Sequence, residues 1–255
     1  LENSVLSKIR INSVDDALVE IKKYNPGFVI NCIGKTGRPN IDWCEEHKEQ
    51  TMFSNVIVPS LLLKSCLQTD SRFVHISSGC IYQGDNNGRG FSEEDKPNFY
   101  GSYYSRTKIQ SEAILKEFPC LILRIRMPID DMPDPRNLIT KILSYDKIIN
   151  IPNSVTVISD FLKASKYLMD KDATGIFNVT NTGIELHQTL LEHYNQYSKE
   201  KKQFTIISGQ DLDKITKAKR SNCVLSNEKL KKLGIRMPGI NESLKRIIHN
   251  YEEIK

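Results

Sequence analysis

The feature that most constrains the fold of this 255-residue chain is an alternation between short apolar runs and helix-length amphipathic segments. Short apolar runs bounded by turn-forming residues are typical of strands buried on both faces, and helical connections return the chain in the same direction. We therefore predict an α/β fold built around a doubly wound parallel sheet. Its strands are predicted at residues 28–33, 72–77, 121–126 and 175–179.

The predicted helices lie between these strands and then dominate the C-terminal part of the chain. The longest is predicted over residues 43–67, with a break near Pro59. The others are predicted at residues 15–24, 103–118, 137–145, 159–169, 186–197, 210–217, 227–233 and 241–253, with a short strand and turn at 148–154. This pattern predicts a sheet domain over residues 1–180 and a smaller α-rich cap over residues 181–255, with residues 128–154 contributing to the ligand cleft.

Charge and apolar content limit the classes of partner. The 36 Lys and Arg outnumber the 31 Asp and Glu, but the excess is spread along the chain, with short basic clusters only at residues 199–202 and 214–220. Such a spread is typical of an ordinary solvated surface. Without a basic stripe interleaved with aromatic residues, any partner that the charge attracts is expected to be an anionic small molecule, such as a nucleotide or diphosphate, and not nucleic acid. No apolar run approaches the roughly 20 residues that a membrane span needs, so we expect no membrane partner.

Cysteine spacing indicates the compartment and argues against a metal. The six cysteines form no Cys-x-x-Cys pair, and no pair of histidines has the spacing typical of zinc ligands. We therefore predict free thiols, a reducing cytoplasmic location and no metal site.

The residues that follow each predicted strand carry the functional information. In a doubly wound sheet the ligand lies beyond the carboxyl ends of the strands, which here selects residues 31–38, 77–80 and 126–129. Tyr104-Ser-Arg-Thr-Lys108 is a Tyr-x-x-x-Lys motif, and the chain contains three more, at Tyr167, Tyr197 and Tyr251. Only Tyr104 opens a helix after a strand that ends in Ser-Ser-Gly-Cys.

Tyr-x-x-x-Lys spacing on a helix suits reduction of a carbonyl group. Residues four apart share one helical face, so Lys108 can lie beside Tyr104, where its ammonium should lower the pKa of the phenol and hold a cofactor ribose. Tyr104 would give a proton to a carbonyl oxygen that is receiving a hydride. Ser78 would donate a hydrogen bond to the same oxygen.

Several ordered blocks carry a resemblance to a known family. The residues Ile76-Ser-Ser-Gly-Cys-Ile-Tyr82, Tyr104-Ser-Arg-Thr-Lys108 and Leu123-Arg-Ile-Arg-Met-Pro128 resemble an extended short-chain dehydrogenase/reductase that acts on nucleotide sugars. Longer blocks, including Gly37-Arg-Pro-Asn-Ile-Asp-Trp-Cys44 and Pro135-Arg-Asn-Leu-Ile-Thr-Lys-Ile142, resemble the UDP-4-keto-6-deoxyglucose 3,5-epimerase/4-reductases of UDP-rhamnose synthesis. The resemblance runs from about Arg10 to the C-terminus and implies a Rossmann-like sheet.

The resemblance implies two linked reactions. The substrate would be UDP-4-keto-6-deoxyglucose, whose C3 and C5 hydrogens are acidified by the adjacent carbonyl. Cys80 is similar to the cysteine that acts as the acid/base on one face of the sugar, and Lys141 matches its partner on the other. Both groups must have pKa values shifted toward neutrality to work. Reduction at C4 by NADPH, with NADH left open, would then give UDP-L-rhamnose.

The resemblance also implies binding residues. Those implied for the cofactor, besides Tyr104 and Lys108, are Arg10, Asn31, Gly34, Thr36, Asn55 and Arg126; those implied for the substrate, besides Ser78, are Arg38, Asn137, Asn153 and Arg220. A guanidinium such as that of Arg220 suits a diphosphate because it can form two parallel hydrogen bonds. Related proteins dimerise through two helices, so a homodimer through residues 43–67 and 103–118 is expected.

One departure from the family keeps alternatives open. The sequence lacks the Gly-x-x-Gly-x-x-Gly loop that receives a pyrophosphate, and it begins with Leu rather than Met. We therefore expect that about 20–30 upstream residues belong to the functional protein. A reductase without epimerase activity, acting on a dTDP sugar, and a non-catalytic NADP-binding regulatory subunit are the alternatives. The nucleobase, UDP or dTDP, is left open.

Overall fold

The computed structural model describes residues 4–254. The strands in chain order are β1 (Phe28–Asn31), β2 (Arg72–Ser78), β3 (Leu121–Ile125), β4 (Pro128–Ile129), β5 (Lys147–Ile149), β6 (Thr156–Val157), β7 (Gly175–Asn178) and β8 (Thr205–Ile207). The α-helices are α1 (Val14–Tyr24), α2 (Asp42–Glu46), α3 (Lys48–Met52), α4 (Val58–Leu67), α5 (Tyr103–Leu115), α6 (Leu138–Leu143), α7 (Ile158–Asp170), α8 (His187–Tyr197), α9 (Gly209–Ile215), α10 (Glu228–Lys232) and α11 (Ile240–Ile254). Among these residues, no helix is long and apolar enough to cross a membrane.

The central sheet confirms the predicted Rossmann-like α/β architecture. Its four strands are all parallel and lie in the order β1-β2-β3-β7. Successive side chains along a strand point to opposite faces, so Phe73 packs with α1, α4 and α5, whereas its neighbour Val74 packs with α7 and α10. Within residues 4–254, β1 pairs with no strand other than β2 and therefore forms one edge of the sheet.

A second core lies beside the sheet and is shared between distant parts of the chain. It combines Ile129, Ile139 and Ile148 with side chains of α8 and α11, and all of its buried members are apolar or tyrosine. The segment that follows β3 thus packs with the C-terminal helices. This arrangement is compatible with the division near residue 180, which stays a prediction.

Residues 221–226, called here the return segment, connect the C-terminal part to the end of β2. Cys223 forms a bridge with Gly84, and Leu225 forms one with Phe91. The backbone N–H of Ser154 donates to the carbonyl of Cys223 at 2.9 Å. The return segment therefore lies against the loop that follows β2 and also touches the connection before β6.

Two predicted elements were wrong in detail. The break predicted near Pro59 is a π-helical turn (Phe53–Ile57) directly before it and not an end of the helix, since residues 48–67 stay helical with Pro59 just inside α4. The interruption is instead at His47, between α2 and α3. The C-terminal part also contains a strand that the α-rich prediction missed, β8, which pairs in parallel with β5.

Candidate active site

The register of the central sheet brings two functional segments together. Ser78 pairs with Ile125, the last residue of β3, and the N–H of Gly79 donates to the carbonyl of Ile125 at 2.9 Å. Arg126 therefore emerges beside the turn that contains Cys80. This juxtaposition depends on strand pairing, because 46 positions separate the two residues.

Helix α5 positions Tyr104 and Lys108 over the end of β2. Ser102 caps the helix by accepting from the N–H of Ser105 at 3.1 Å, and the Ser105 hydroxyl donates to the carbonyl of Cys80 at 2.6 Å. Tyr104 is 6% exposed and Lys108 is 5% exposed. The helix is thus attached at its first turn to the residues that follow β2.

Tyr104, Cys80 and Lys108 lie close to Ser78 at the end of β2. Hydrogen bonding from Ser78 lowers the pKa of the Tyr104 phenol, which places the two side chains next to each other. The backbone N–H of Cys80 donates to Ser78 Oγ at 3.2 Å. Lys108 lies beside β2, where its Nζ donates to the carbonyl of Ile76 at 3.2 Å. A hydroxyl and a thiol therefore lie two residues apart at the end of β2, and α5 brings a phenol and a buried ammonium to them.

The electrostatics of this cluster differ from the prediction for Tyr104. Burial raises the pKa of the phenol, the charge of Cys80 raises it further, and the Ser78 hydrogen bond opposes them only in part. The expected lowering of the Tyr104 pKa is therefore wrong, because burial outweighs the groups that favour the phenolate. Burial lowers the pKa of Lys108 to about 8, against the opposing charges of Glu112 and Cys80. At neutral pH the phenol holds its proton and the lysine is mostly cationic.

Arg126, which is predicted at the cofactor, contacts Cys80 in the structure. Its Nη1 donates to Cys80 Sγ at 2.8 Å. Nε and Nη2 donate to Asn153 Oδ1 at 3.1 and 2.6 Å, and Nη2 also donates to the carbonyl of Ser221. Asn153, expected to touch the sugar, thus orients the guanidinium.

The loop after β1 is held over Lys108 by Asn55. Asn55 Oδ1 accepts from the N–H of Lys35 at 2.7 Å, and its Nδ2 donates to the Lys35 carbonyl at 3.1 Å and to Thr107 Oγ1 at 3.0 Å. A Cβ added to Gly34 would lie 3.5 Å from Asn55 Oδ1 and 4.0 Å from Lys108 Nζ. Gly34, Asn55 and Lys108 are therefore brought together, and the adjacent Thr36 is exposed.

Asn31 is buried behind this loop and has a partner that sequence reasoning missed. Its Nδ2 lies 3.0 Å from His75 Nδ1, and its Oδ1 accepts from the N–H of Ile33 at 2.9 Å. Within the described residues, His75 Nε2 is buried without a hydrogen-bond partner. Burial and the charge of Lys108 lower the pKa of His75 well below its ordinary value, so the ring is neutral. A histidine inside an otherwise apolar strand was the available signal.

The remaining predicted residues contact other groups or are exposed. Asn137 caps α6: its Oδ1 accepts from the N–H of Ile139 at 3.1 Å, and its Nδ2 donates to two loop carbonyls. Lys141 is half-buried on α6, and its pKa is lowered by burial and then by Arg136. Arg10 and Arg38 are exposed.

Arg220 borders a separate cavity of about 440 Å³. Its Nη1 donates to Asp42 Oδ1 at 2.8 Å, which fixes the guanidinium against α2. The cavity is also lined by residues from the loop after β2, the segment after β5, helix α9 and the return segment, including Gln83, Ile151 and Asn222. Among the residues that line this cavity, Arg220 is the basic one and Asp213 the acidic one.

Comparison with known proteins extends over nearly the whole chain. The family model described as the RmlD substrate binding domain matches residues 6–253. A trifunctional UDP-glucose 4,6-dehydratase/UDP-4-keto-6-deoxy-D-glucose 3,5-epimerase/UDP-4-keto-L-rhamnose-reductase from Arabidopsis thaliana is 39% identical over 94% of this chain, which spans 37% of that protein. A bifunctional dTDP-4-dehydrorhamnose 3,5-epimerase/dTDP-4-dehydrorhamnose reductase from the same plant is 39% identical over 94% of this chain and 82% of its own length.

A solved structure agrees with these sequence matches. The L780 UDP-rhamnose synthase from Acanthamoeba polyphaga mimivirus superimposes with a TM-score of 0.90 and 32% identity, over 96% of this chain and 90% of that one. The chain is similar in sequence and fold to the reductase-like parts of these proteins, and it belongs to the RmlD substrate binding domain family.

Proposed function

We propose that this chain carries out 3,5-epimerisation and then NADPH-dependent 4-keto reduction of UDP-4-keto-6-deoxyglucose, giving UDP-L-rhamnose. The observation that carries the proposal is the closeness of Tyr104, Ser78 and Cys80. Ser78 and Cys80 both act on the pKa of the Tyr104 phenol, and the N–H of Cys80 donates to Ser78 Oγ, so a carbonyl-directed acid and a carbon-directed base lie near each other. The names of two relatives that are 39% identical include both a 3,5-epimerase and a reductase.

The residues near Lys108 fit a dinucleotide. The Lys108 ammonium has three donor hydrogens, and among the described residues one acceptor, the Ile76 carbonyl, contacts it, so donors are left for ribose hydroxyls. Gly34 lets the loop after β1 pass close to that ammonium. Asn31, Thr36 and Asn55 would hold or border the adenosine and pyrophosphate, and Arg10 would meet a 2′-phosphate. NADPH, when bound, supplies the hydride for C4.

In the reduction, Tyr104 would give its proton to the C4 oxygen. Its raised pKa keeps the phenol protonated at neutral pH, so the proton is already in place when the substrate enters. Ser78 would donate a second hydrogen bond to that oxygen and support the developing negative charge. The cationic Lys108 would stabilise the phenolate that remains.

In the epimerisation, Cys80 would remove the proton from C3 or C5, and Lys141 would return one on the opposite face. The C4 carbonyl accepts the electron pair of the broken C–H bond as an enolate, which the Ser78 hydroxyl can support. The lowered pKa of Lys141 suits a group that must exchange protons near neutral pH. Lys141 lies on α6, and α6 packs on β4, the strand that begins two residues after Arg126.

The cavity beside Arg220 is proposed to receive the nucleoside diphosphate. Arg220 would bind the phosphates while Asp42 holds its guanidinium. Arg38, Asn137 and Asn153 are proposed to act on the substrate side. Asn137 would act through the loop that its side chain holds, and Asn153 through the guanidinium of Arg126. Residues 181–255, with 128–154, would form the substrate-binding part and residues 1–180 the dinucleotide-binding part.

Deuterium exchange tests this proposal. The full-length protein is incubated with UDP-4-keto-6-deoxyglucose in D₂O, with or without NADPH, and the sugar is examined by NMR. We expect deuterium at C3 and C5 without NADPH, and UDP-rhamnose with it. Cys80→Ala should abolish exchange, whereas the matched control Cys32→Ala, which changes an exposed cysteine, should retain it.

The other outcomes distinguish the alternatives. NADPH oxidation with a pre-epimerised sugar, but no deuterium uptake, would identify a reductase alone. Cofactor binding without either reaction would identify a regulatory subunit. The homodimer is also a proposal: exposed apolar side chains, including Ile57, Leu67, Ile114 and Phe118, lie on and beside α4 and α5. Light scattering on the purified protein measures it directly.

A further inference from the structure

Arg126 is a buried cation without a carboxylate. It is 4% exposed. The arginines that form ion pairs within residues 4–254 are Arg72, Arg106, Arg124, Arg220 and Arg246, and Arg126 is not among them. Its acceptors are an amide oxygen, a backbone carbonyl and the sulfur of Cys80.

A buried guanidinium needs a negative charge nearby to offset the loss of hydration. Of the atoms in hydrogen-bond contact with it, Cys80 Sγ is the one that can ionise, because amide and carbonyl oxygens stay neutral. The sulfur lies 2.8 Å from Nη1, and Cys80 is only partly buried, so a substrate carbon can approach it.

The other titratable groups around this contact do not supply that charge. Burial raises the pKa of Tyr104 and that of Cys223, so both hold their protons. Burial and the charge of Arg126 itself lower the pKa of His187 to about 4, so its ring is neutral. Lys108 adds a second positive charge on the α5 side.

We propose that Arg126 is the positioning residue of Cys80: its guanidinium holds the sulfur as a thiolate and fixes its direction at the end of β2. Asn153 acts one step further out, since its Oδ1 accepts from both Nε and Nη2 and sets the orientation of the guanidinium. The inference deepens the proposed epimerase step, in which the thiolate would take the proton from carbon, but the charge on the sulfur exists without any substrate.

Alkylation by iodoacetamide measures this charge without substrate or cofactor, because the thiolate and not the thiol attacks. Trypsin places Cys80 alone in the peptide 73–89 and Cys32 in the peptide 24–35, so mass spectrometry follows both in one sample. We expect Arg126→Met to slow Cys80 alkylation at pH 7 by about tenfold or more relative to Cys32. Arg126→Lys, which keeps a charge but not the three-way contact, should be intermediate.

Measurement at pH 10 separates charge from structure. Ordinary thiols are largely ionised there, so the Cys80 rates of the wild type and Arg126→Met should converge. A merely structural role would loosen the site and raise Cys80 alkylation at both pH values, and that result would overturn the inference. Arg106→Met, which removes a partly exposed arginine of α5, is the matched control and should leave the ratio unchanged.

The wild type alone provides a second test in case the variants do not fold. A sulfur that is already ionised at pH 7 gains less from a rise to pH 10 than Cys32 does, so the Cys80-to-Cys32 rate ratio should fall severalfold between these pH values. An unchanged or rising ratio would refute the inference. If the ratio falls but no deuterium enters the sugar, the proposed epimerisation fails while the role of Arg126 stands.

Discussion

Replacing Arg124 with methionine should destabilise the protein by about 3–5 kcal/mol, because it leaves a buried carboxylate without its cation. Arg124 lies on β3 and Glu112 on α5, and their side chains are 3% and 5% exposed. The guanidinium donates to the carboxylate through Nε at 3.1 and 3.0 Å and through Nη2 at 2.6 Å. Its Nη1 also donates to the hydroxyl of Tyr82 at 3.1 Å.

The expected loss is large compared with the about 5–15 kcal/mol that stabilises an ordinary domain. After the substitution, the Ser77 hydroxyl, 2.5 Å away, is the hydrogen-bond partner that Glu112 keeps. The double variant Arg124→Met/Glu112→Leu removes the orphaned charge, so it should be more stable than Arg124→Met by at least about 2 kcal/mol.

Urea denaturation at pH 7 measures these differences, with the fluorescence of the single tryptophan, Trp43, and circular dichroism as two probes. Lys166→Met is the matched control, because Lys166 pairs with Asp170 at 2.6 Å but is 60% exposed; it should cost less than about 1 kcal/mol. The reasoning is wrong if Arg124→Met costs no more than this control, or if the double variant loses the sum of the two single losses.

Three further predictions concern reactivity and pH. Tyr104→Phe should lower NADPH oxidation by about 10²–10⁴-fold while deuterium still enters C3 and C5, and loss of both activities together would contradict the division of roles. Burial lowers the pKa of Lys108 from 10.5 to about 8. Between these two pH values the unfolded chain still holds a proton that the folded chain has released, so the free energy of unfolding should rise with pH. This rise should be larger in the wild type than in Lys108→Met, which has no such proton. Parallel urea midpoints at pH 8 and pH 10 would rule this out. Burial raises the pKa of Glu185 from 4.5 to about 7, so between these pH values the folded chain retains a proton that the unfolded chain loses. The wild type should therefore lose stability as the pH rises. Calorimetry should show Glu185→Gln to be more stable than the wild type by about 2 kcal/mol at pH 8 but not at pH 4.5.

Local spacing explains what could be predicted from sequence. The four sheet strands were predicted to within two residues at each end, because each is a short apolar run between turn signals. Tyr104 and Lys108 were predicted to share a helical face, and both lie buried over the end of β2. These features depend on periods of two and 3.6 residues, which a sequence carries directly.

Tertiary contacts explain what could not be predicted. The Arg126–Cys80 contact requires the β2–β3 register, and the Arg126–Asn153 contact requires the chain to return past β5. The pKa direction of Tyr104 was wrong because burial, which no motif encodes, outweighs the neighbouring charges. Strand β8 was missed because its three residues follow a lysine-rich turn and are ordered by pairing with β5.

The return segment has a consequence for how the protein is made. Cys223, which bridges Gly84 and donates its N–H to Asn153 Oδ1 at 3.0 Å, leaves the ribosome about 140 positions after Cys80. At about 5–20 residues per second, the end of β2 therefore waits roughly 7–28 s for the segment that covers it. During that interval the nascent chain exposes Tyr82 and Phe91, two stacked rings that the finished protein buries beneath Leu225. Synthesis of the return segment is therefore the step that completes the burial of this pair of rings.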